Sequence, residues 1–249
     1  MIDVLEANLD VINSLIQWGG RMLSLVNLIK LDTIPLEVAA HLMSGMQKGT
    51  SVLIGAKPSW AGKTTLMGAL LGVIPSSDRI ITIENSCEIP FLPPGSQDKP
   101  KTYIIHEISR GGWHGLYLEG PPVVDVTRLV DPNTRLVTNL HADSIEGVKA
   151  IFRRFGCEKA LNVFNFIIFI HYNPISQSRF VDEVWEFDKP RQSHKRIYSH
   201  DERFTSDFKN EQSSQKTHTL KWEQFLSQCL KKDIYSIEEV AYALQEYVQ

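Results

Sequence analysis

The chain has 249 residues, enough for one α/β domain with an appendage or for two small domains. Its hydrophobic fraction of 43% and charged fraction of 22% are ordinary for a globular protein, and its net charge of −3 excludes a general attraction for nucleic acid or an anionic membrane. The three cysteines are widely spaced and include no CxxC pair, so the sequence predicts neither a disulfide framework nor a zinc site.

Before the first strand, the sequence predicts a helix with Pro35 in its first turn and Gly49 at its end. The N-terminus carries no early Lys or Arg and therefore does not have the pattern of a signal peptide. The longest apolar run, residues 160–172, is too short and too interrupted by polar residues to cross a bilayer. Any membrane role would therefore depend on a partner.

Residues 51–65, SVLIGAKPSWAGKTT, predict a strand, a tight turn and the start of a helix over 64–71, which is the order found in phosphate-binding loops. In such a loop the helix N-terminus faces an anion, a lysine reaches the β- and γ-phosphates, and a hydroxyl holds Mg²⁺. The motif G-x-x-x-x-G-K-[ST] requires glycine where this chain has Lys57, followed by Pro58. The alternative is an ordinary strand–turn–helix with a solvated lysine. The sequence predicts contacts with a nucleotide at Ser59, Ala61, Gly62, Lys63, Thr64 and Thr65.

Later strands are predicted to end beside polar side chains. Residues 79–85 predict a strand ending at Glu84, a short strand at 115–118 leads into Glu119, and a strand at 135–140 ends at His141. Residues 88–101 predict a loop, and 103–110 a helix or a strand that glycines end. Because ligands bind at the carboxyl ends of parallel strands, we expect Lys63 and these three side chains at one edge of the sheet.

The second half of the chain predicts a core that gives way to a more polar segment. A capping-box pattern at 143–146 starts a helix that Gly156 ends, and strands follow at 164–171 and 180–187. Beyond residue 189 the chain is polar and predicts a hairpin and a linker, before a second capping box at 236–239 opens a terminal helix with an apolar docking stripe. We therefore divide the chain into a core, 1–188, and a C-terminal hairpin, linker and helical segment, 189–249.

Several sequence blocks resemble, in order, the ATPase domain of type II secretion, type IV pilus and type IV secretion systems, most closely the archaeal branch. GKTTLMGALLGVIP resembles the Walker A helix of that family, RIITIENSCEI its Asp box, and TRLVTNLHADSIEGVKAIFRR its His box. LKKDIYSIEEVAYALQEY resembles its small C-terminal helical segment. The resemblance implies an α/β fold: a RecA-like P-loop NTPase core with a mostly parallel sheet and a small C-terminal helical appendage, without the usual N-terminal domain.

The resemblance also implies roles for individual residues, with ATP and Mg²⁺ as ligands. Lys63 and Thr64 match the phosphate and Mg²⁺ positions. Glu84 matches the Asp-box glutamate, which helps to organise the metal, through water, and the attacking water. His141 matches the His-box histidine that senses the γ-phosphate. Alternatively, Glu84 is a solvated acid at a strand end and His141 is satisfied by the backbone.

The Walker B glutamate has two candidates. Glu119 matches best by its spacing to His141, which makes it a third catalytic candidate beside Glu84 and His141. YIIHEISRG resembles the family's Y-I-I-x-G-E-[VI]-R-G, which makes Glu107 a rival with worse spacing. The sequence alone favours Glu119.

Departures from the family pattern leave open whether ATP is hydrolysed. Lys57 and Pro58 alter the loop, Asn85 stands where the Asp box has a carboxylate, and Gly-Pro-Pro follows Glu119. One hypothesis is a motor ATPase that assembles type IV pilus or archaellum-like filaments or drives protein secretion. The other is a catalytically degenerate nucleotide-binding or structural subunit that partners a full-length ATPase. A third reading, an unrelated P-loop kinase, conflicts with the His box.

The expected partners also come from the resemblance. They are further copies of this chain in a hexameric ring, or a related ATPase in a mixed ring, and the cytoplasmic face of a polytopic membrane platform protein. The implied location is cytoplasmic, including the inner face of the cell membrane. Nucleic-acid binding is not expected, because the basic residues are scattered along the chain.

Overall fold

The computed structural model describes residues 3–15, 21–109, 117–205 and 216–248. In chain order the helices are α1 (Val4–Ser14), α2 (Leu25–Lys30), α3 (Leu36–Gln47), α4 (Lys63–Leu71), α5 (Pro121–Thr127), α6 (Ile145–Arg154), α7 (Lys216–Lys231) and α8 (Ile237–Val248). The strands are β1 (Val52–Gly55), β2 (Arg79–Thr82), β3 (Lys101–Ile108), β4 (Tyr117–Leu118), β5 (Thr134–Leu140), β6 (Phe166–Tyr172), β7 (Arg179–Asp188), β8 (Ser193–Ser199) and β9 (Arg203–Phe204). Short 3₁₀ helices span Ser86–Phe91 and Glu158–Val163.

Within the described ranges, the strands form one mixed sheet in the order β2-β3-β5-β1-β6-β7-β8-β9, and β4 pairs with β3. The strands from β2 to β6 run parallel to their neighbours, including β4, while β7, β8 and β9 extend the sheet in antiparallel fashion. The phosphate-loop strand β1 is central, with β5 on one side and β6 on the other. The predicted α/β fold with a mostly parallel sheet is confirmed, and it is consistent with a RecA-like core.

Helices cover both faces of the sheet, and the central strands β1 and β6 are accordingly apolar in nearly every position. Val52 and Ile54 of β1 join a cluster with α1–α4, α7 and α8, whereas Leu53 between them joins a second cluster with α5 and α6. Ile104 of β3 likewise belongs to the first cluster and Ile105 to the second. This alternation follows from the two-residue period of a strand, and it places hydrophobic cores above and below the sheet.

Several predicted elements take a different form in the structure. Of residues 103–110, for which the sequence predicts a helix or a strand, 103–108 belong to β3, which ends at Ile108. The helix after the His box begins one residue later than the pattern suggests, because Ser144 is its N-cap and accepts from Gly147 N–H at 3.3 Å. The predicted strand at 115–118 is described only at Tyr117–Leu118, and residues 110–116 and 206–215 lie outside the described ranges.

The C-terminal helices share the core of the sheet domain. Phe225 and Leu226 of α7 and Val240 and Leu244 of α8 are buried in the same cluster as α3 and β1. The capping box of α8 is confirmed: Ser236 Oγ accepts from Glu239 N–H, and the Glu239 carboxylate accepts from Ser236 N–H. The predicted domain boundary after residue 188 falls in the turn between β7 and β8, which pair with each other as a hairpin. The division of the chain at this point stays a prediction. No helix in the described ranges is long and apolar enough to span a membrane.

A buried polar network fastens α1 to the edge of the sheet. The side chain of Asn8 donates to Asp78 O at 2.6 Å and accepts from Ile80 N–H at 2.9 Å. The Asp78 carboxylate is fully buried and pairs with Arg135 of β5, and it also accepts from the Thr102 hydroxyl at 3.1 Å. Because a buried charge is costly without partners, these contacts fix the position of β2 beside β3.

The shared core predicts that α7 is required for the stability of the whole domain. Replacing Leu226, which is fully buried, with alanine should lower the free energy of unfolding by about 2–5 kcal/mol. The control is Leu220→Ala on the same helix, where 46% exposure predicts a change within about 0.5 kcal/mol. Denaturant unfolding followed by circular dichroism measures both values. Equal effects would show that α7 is not docked as described.

Candidate active site

The loop between β1 and α4 is positioned by two glycines. A Cβ on Gly55 would lie 2.5 Å from Ala142 O, so the end of β1 can approach the neighbouring chain only without a side chain. Gly62, which precedes α4, has φ of +101°, in the left-handed region that other residues rarely adopt. The loop is held further by Ala56 N–H, which donates to Leu140 O at 3.2 Å. These constraints turn the chain sharply from the strand into the helix.

The start of α4 presents unpaired backbone donors to the loop. The first N–H groups of a helix have no partner within it, and Gly62 supplies no capping side chain. Together with the helix dipole, these groups favour an anion at this point. Thr64 and Thr65 follow in the first turn and line the same space. The local fold is therefore suited to holding a phosphate group.

A cavity of about 650 Å³ lies against this loop, a size typical of small-molecule sites. Every predicted nucleotide contact lines it, and so does His141. The apolar part of the lining includes Leu15, Met22, Leu23, Leu28, Leu31 and Ile170. A cavity with a polar loop and an apolar wall can accommodate a molecule that has both a phosphate end and an apolar ring system.

Three charged or polar side chains meet beside the loop. Lys63 Nζ lies 3.4 Å from Glu107 Oε2 and 3.4 Å from His141 Nδ1. His141 Nε2 lies 2.9 Å from Glu107 Oε1, and its Nδ1 lies 3.2 Å from Lys57 O. Lys63 and Glu107 are buried, with 3% and 8% exposure, whereas His141 is partly exposed. We call these three residues the Lys63 cluster.

The protonation of the Lys63 cluster follows from burial and from its internal contacts. Burial lowers the pKa of Lys63, and the neighbouring Glu107 carboxylate opposes that shift. Burial alone would raise the pKa of Glu107, but the hydrogen bond from His141 and the charge of Lys63 outweigh it and lower that pKa. The hydrogen bond to Glu107 raises the pKa of His141. Glu107 is therefore ionised near neutral pH, with Lys63 on one side and His141 on the other.

Lys57, which replaces a loop glycine, does not block the cavity. Its Nζ lies 2.7 Å from Asp143 Oδ2, the side chain is 71% exposed, and its carbonyl oxygen faces His141 Nδ1. Among the described residues, the cavity lining does not include Lys57. The side chain leaves the cavity free because it extends toward Asp143, in the segment after β5. Lys57 instead links the phosphate loop to that segment.

The structure places Glu107, and not Glu119, in contact with Lys63. Glu119 follows the short edge strand β4 and is exposed, and it is not among the described residues that line the cavity. Residue spacing favoured Glu119, whereas β3 and β5 are direct neighbours in the sheet although β4 and α5 lie between them in the chain. Proximity depends on strand order, which residue spacing does not reveal.

Glu84 also lies away from the described cavity lining. It follows β2, which β3 and β5 separate from β1, and it is exposed. Asn85, where a carboxylate was expected, caps the following 3₁₀ helix by accepting from Cys87 N–H at 3.0 Å, and it donates to Glu88 at 2.6 Å. Its role in the structure is therefore local. The catalytic roles given to Glu84 and Glu119 stay predictions without geometric support.

The lining residues that were not anticipated from the sequence include His106, Tyr117 and Arg179. Arg179 begins β7, and its Nε donates to Trp60 O of the phosphate loop at 3.1 Å. The signal for His106 was its place beside Glu107 in YIIHEISRG, at the end of a long apolar strand. Arg179 carried no such signal, because β7 is distant from the loop in sequence.

The residues present fit a magnesium–phosphate ligand better than a metal held by protein alone. Within the described residues there is no group of three or more His, Cys, Asp or Glu side chains suited to a metal. Mg²⁺ commonly takes one or two protein ligands together with phosphate oxygens and water. The Thr64 hydroxyl, in the first turn of α4, is the group placed to serve in that way.

Comparisons with known proteins give a likeness in fold. No protein-family model matches the chain, and no curated protein matches it. Its similar solved structures include the VirB11 ATPase of the Brucella suis type IV secretion system in complex with sulphate (19% identity, TM-score 0.42), which spans 64% of this chain and 59% of that one. For the ATPase DotB of Legionella pneumophila the identity is 11% and the TM-score 0.45, and the match covers 61% of this chain and 50% of that one. For DotB of Yersinia pseudotuberculosis the identity is 12% and the TM-score 0.44, and the match covers 88% of this chain and 62% of that one. This chain thus covers only half to three fifths of their length.

The contacts of His141 predict a measurable pH dependence. Its pKa should lie above the usual 6.5 in the native protein and fall toward that value in Glu107→Gln, because the variant removes the charge and the accepting carboxylate.

The stability of the protein should also depend on the protonation of this pair. The contribution of His141 is fully present below the unfolded pKa of histidine and is lost as the pH rises through the raised pKa of His141 in the folded protein. On the acid side, the contribution of Glu107 is lost as the pH falls through its lowered pKa. An NMR titration of the His141 ring tests this, and the same pKa in both proteins would contradict it.

Proposed function

We propose that this protein binds Mg·ATP in the cavity beside the phosphate loop and hydrolyses it. The observation that carries the proposal is the Lys63 cluster, which places a buried lysine, a carboxylate and a histidine together at the N-terminus of α4. A lysine at this point of a strand–loop–helix unit is suited to the β- and γ-phosphates. The apolar wall of the cavity suits the adenine ring.

Binding would require the Lys63 cluster to exchange partners. In the ligand-free arrangement, Glu107 holds both Lys63 and His141. Phosphate oxygens would compete with that carboxylate for the two cations, together with the N–H groups at the start of α4. When Mg²⁺ is bound through Thr64, it supplies further neutralisation of the phosphate charge. The positive end of the cavity thus offers several donors to one polyanion.

Glu107 would then become available to the attacking water. Losing the His141 hydrogen bond and the Lys63 charge would raise the pKa of Glu107, which makes the carboxylate a stronger base. It could then accept the proton of a water molecule that attacks the γ-phosphorus while the bond to the bridging oxygen breaks. His141, at the same edge, can hold a terminal phosphate oxygen through its protonated ring. Lys57 O and Glu107 fix the orientation of that ring in the absence of nucleotide. Positioning and charge neutralisation are the main requirements of phosphoryl transfer.

The wider role that we propose rests on the sequence resemblance to secretion ATPases. It is a motor that couples hydrolysis to protein secretion or to the assembly of type IV pilus-like filaments. It would act as a hexameric ring of this chain, or as a mixed ring with a related ATPase, on the cytoplasmic side of a membrane platform protein. Glu119 and Glu84 resemble catalytic positions of the family, but neither is among the described residues that line the cavity, so the proposal gives the part of the catalytic carboxylate to Glu107.

The test is ATP binding and Mg²⁺-dependent hydrolysis by the purified protein and its variants. Lys63→Ala should weaken ATP binding at least about tenfold and abolish turnover, because the phosphates lose a buried cation. Glu107→Gln should keep ATP binding within about tenfold but lower turnover by about 10²–10⁴, the usual contribution of a general base.

The comparison variant is Glu119→Gln, which alters the rival carboxylate by the same chemistry. We expect turnover within about threefold of the native value. Loss of turnover in Glu119→Gln with Glu107→Gln unaffected would reverse the assignment. Binding of ATP without turnover in the native protein would favour the degenerate subunit. The absence of both ATP binding and turnover would overturn the proposal. Circular dichroism must show that Lys63→Ala is folded, because this change leaves the buried Glu107 carboxylate without its lysine partner.

A further inference from the structure

The strand β3 contains a register shift at the end that carries Glu107. Between Ile105 and Ile108, three steps along β3 match two steps along the neighbouring β5. His106 and Glu107 are the two residues inside this shift. An extra residue in one of two paired strands interrupts the ladder of hydrogen bonds and re-aims the side chains around it.

The shift decides which face of the sheet carries Glu107. In a regular strand, residues three apart point to opposite faces. Ile105 and Ile108, however, both pack in the second hydrophobic cluster, with α5 and α6. His106 and Glu107 between them both line the cavity. The helix α4, which Lys63 opens, packs in the first cluster on the other face. Without the shift, Glu107 would share the face of Ile105, on the side of the sheet opposite to Lys63.

The side chain of Asn139 spans the shift from β5. Asn139 stands between Thr138 and Leu140, the two β5 residues whose pairing with β3 brackets the shift. It is fully buried, and its Nδ2 donates to His106 O at 2.9 Å. A side-chain amide thus supplies a donor to a carbonyl group inside the shift, where the regular ladder is interrupted.

Packing alone does not account for an amide at this position. Within the described residues, Asn139 Oδ1 is buried without a hydrogen-bond partner. An unpaired buried acceptor is costly, and an apolar side chain of the same shape would avoid that cost. What an apolar side chain could not supply is the bond to His106 O. Asn139 is not among the described residues that line the cavity, so its effect on a ligand would pass through β3.

We infer that Asn139 is a positioning residue, which holds the register shift of β3 through its bond to His106 O. The shift in turn keeps the Glu107 carboxylate in contact with Lys63 and His141. A slip of one residue would move Glu107 to the other face of the sheet. That Glu107 takes a proton from water rests on the proposed function, whereas its placement by Asn139 does not.

The first test is an NMR titration of the His141 ring in the ligand-free protein. Asn139→Leu keeps the size of the side chain but removes the amide. The pKa of His141 should then fall toward 6.5, as in Glu107→Gln, because the hydrogen bond to Glu107 is the main cause of its raised value. The matched control is Thr138→Val, which removes a neighbouring buried hydroxyl that donates to Asn139 O at 3.3 Å. It should leave the pKa of His141 unchanged.

ATP turnover gives a second readout, which depends on the proposed function. In Asn139→Leu, kcat should fall about 10²-fold, the loss expected when a catalytic group is misplaced by about 1 Å. The KM for ATP should change less than about threefold, because Lys63 and the start of α4 stay in place. Thr138→Val should keep both values. Unchanged turnover in Asn139→Leu would overturn the catalytic consequence of the placement.

The titration separates the inference from the proposed function. If the pKa of His141 falls in Glu107→Gln but not in Asn139→Leu, the positioning role is overturned. An equal fall in Thr138→Val would also overturn it, since the loss of any buried polar group from β5 would then have the same effect. If the native protein shows no ATP turnover, the proposed function fails and the titration still decides the role of Asn139. Should Asn139→Leu not fold, Asn139→Ala replaces it, because the shorter side chain cannot crowd the core.

Discussion

The burial of one positive charge is the constraint on which this site depends. Lys63 opens α4 with 3% exposure, where an unpaired ammonium group would be strongly unfavourable. Glu107 balances that charge, and His141 in turn stabilises the carboxylate. Because Glu107 comes from β3 and His141 from the end of β5, the ion pair forms only when these strands lie in their observed order beside β1. The charge balance of the site therefore depends on the strand order of the sheet.

The phosphate loop is also joined to β5 by contacts that do not involve the buried lysine. Ala56 donates to Leu140, the carbonyl of Lys57 faces His141, and the side chain of Lys57 reaches Asp143. An exposed ion pair of this kind contributes little to stability. The Lys57–Asp143 pair nevertheless connects the loop to the residues that precede α6, so a shift of the loop on binding a phosphate would also move those residues. The substitution of a loop glycine by Lys57 thus adds a contact without closing the cavity.

Much of the fold could be predicted from the sequence, because it rests on local patterns. The apolar strand before Lys63, the strand ending at His141 and the capping box at Ser236 are all written in neighbouring residues. The acid of the site could not be chosen in that way. Glu107 lies near the end of β3 and Glu119 directly follows β4, and only the pairing of β3 with β5 brings Glu107 to Lys63. The register shift between β3 and β5 around His106 and Glu107 is likewise invisible in the sequence, so the place of His106 in the cavity lining was not anticipated.

The hydrogen bonds of Asn8 give the N-terminal helix a larger part in the domain than its position suggests. Its amide satisfies both a carbonyl and an N–H of the chain around β2, at Asp78 and Ile80. If α1 detaches, those backbone groups lose their partners at the edge of the sheet, and the buried pair of Asp78 with Arg135 is opened to water. Helix and edge strand therefore form one cooperative unit of local unfolding. The first residues of the chain are coupled to β5, and through it to the strand end that carries His141.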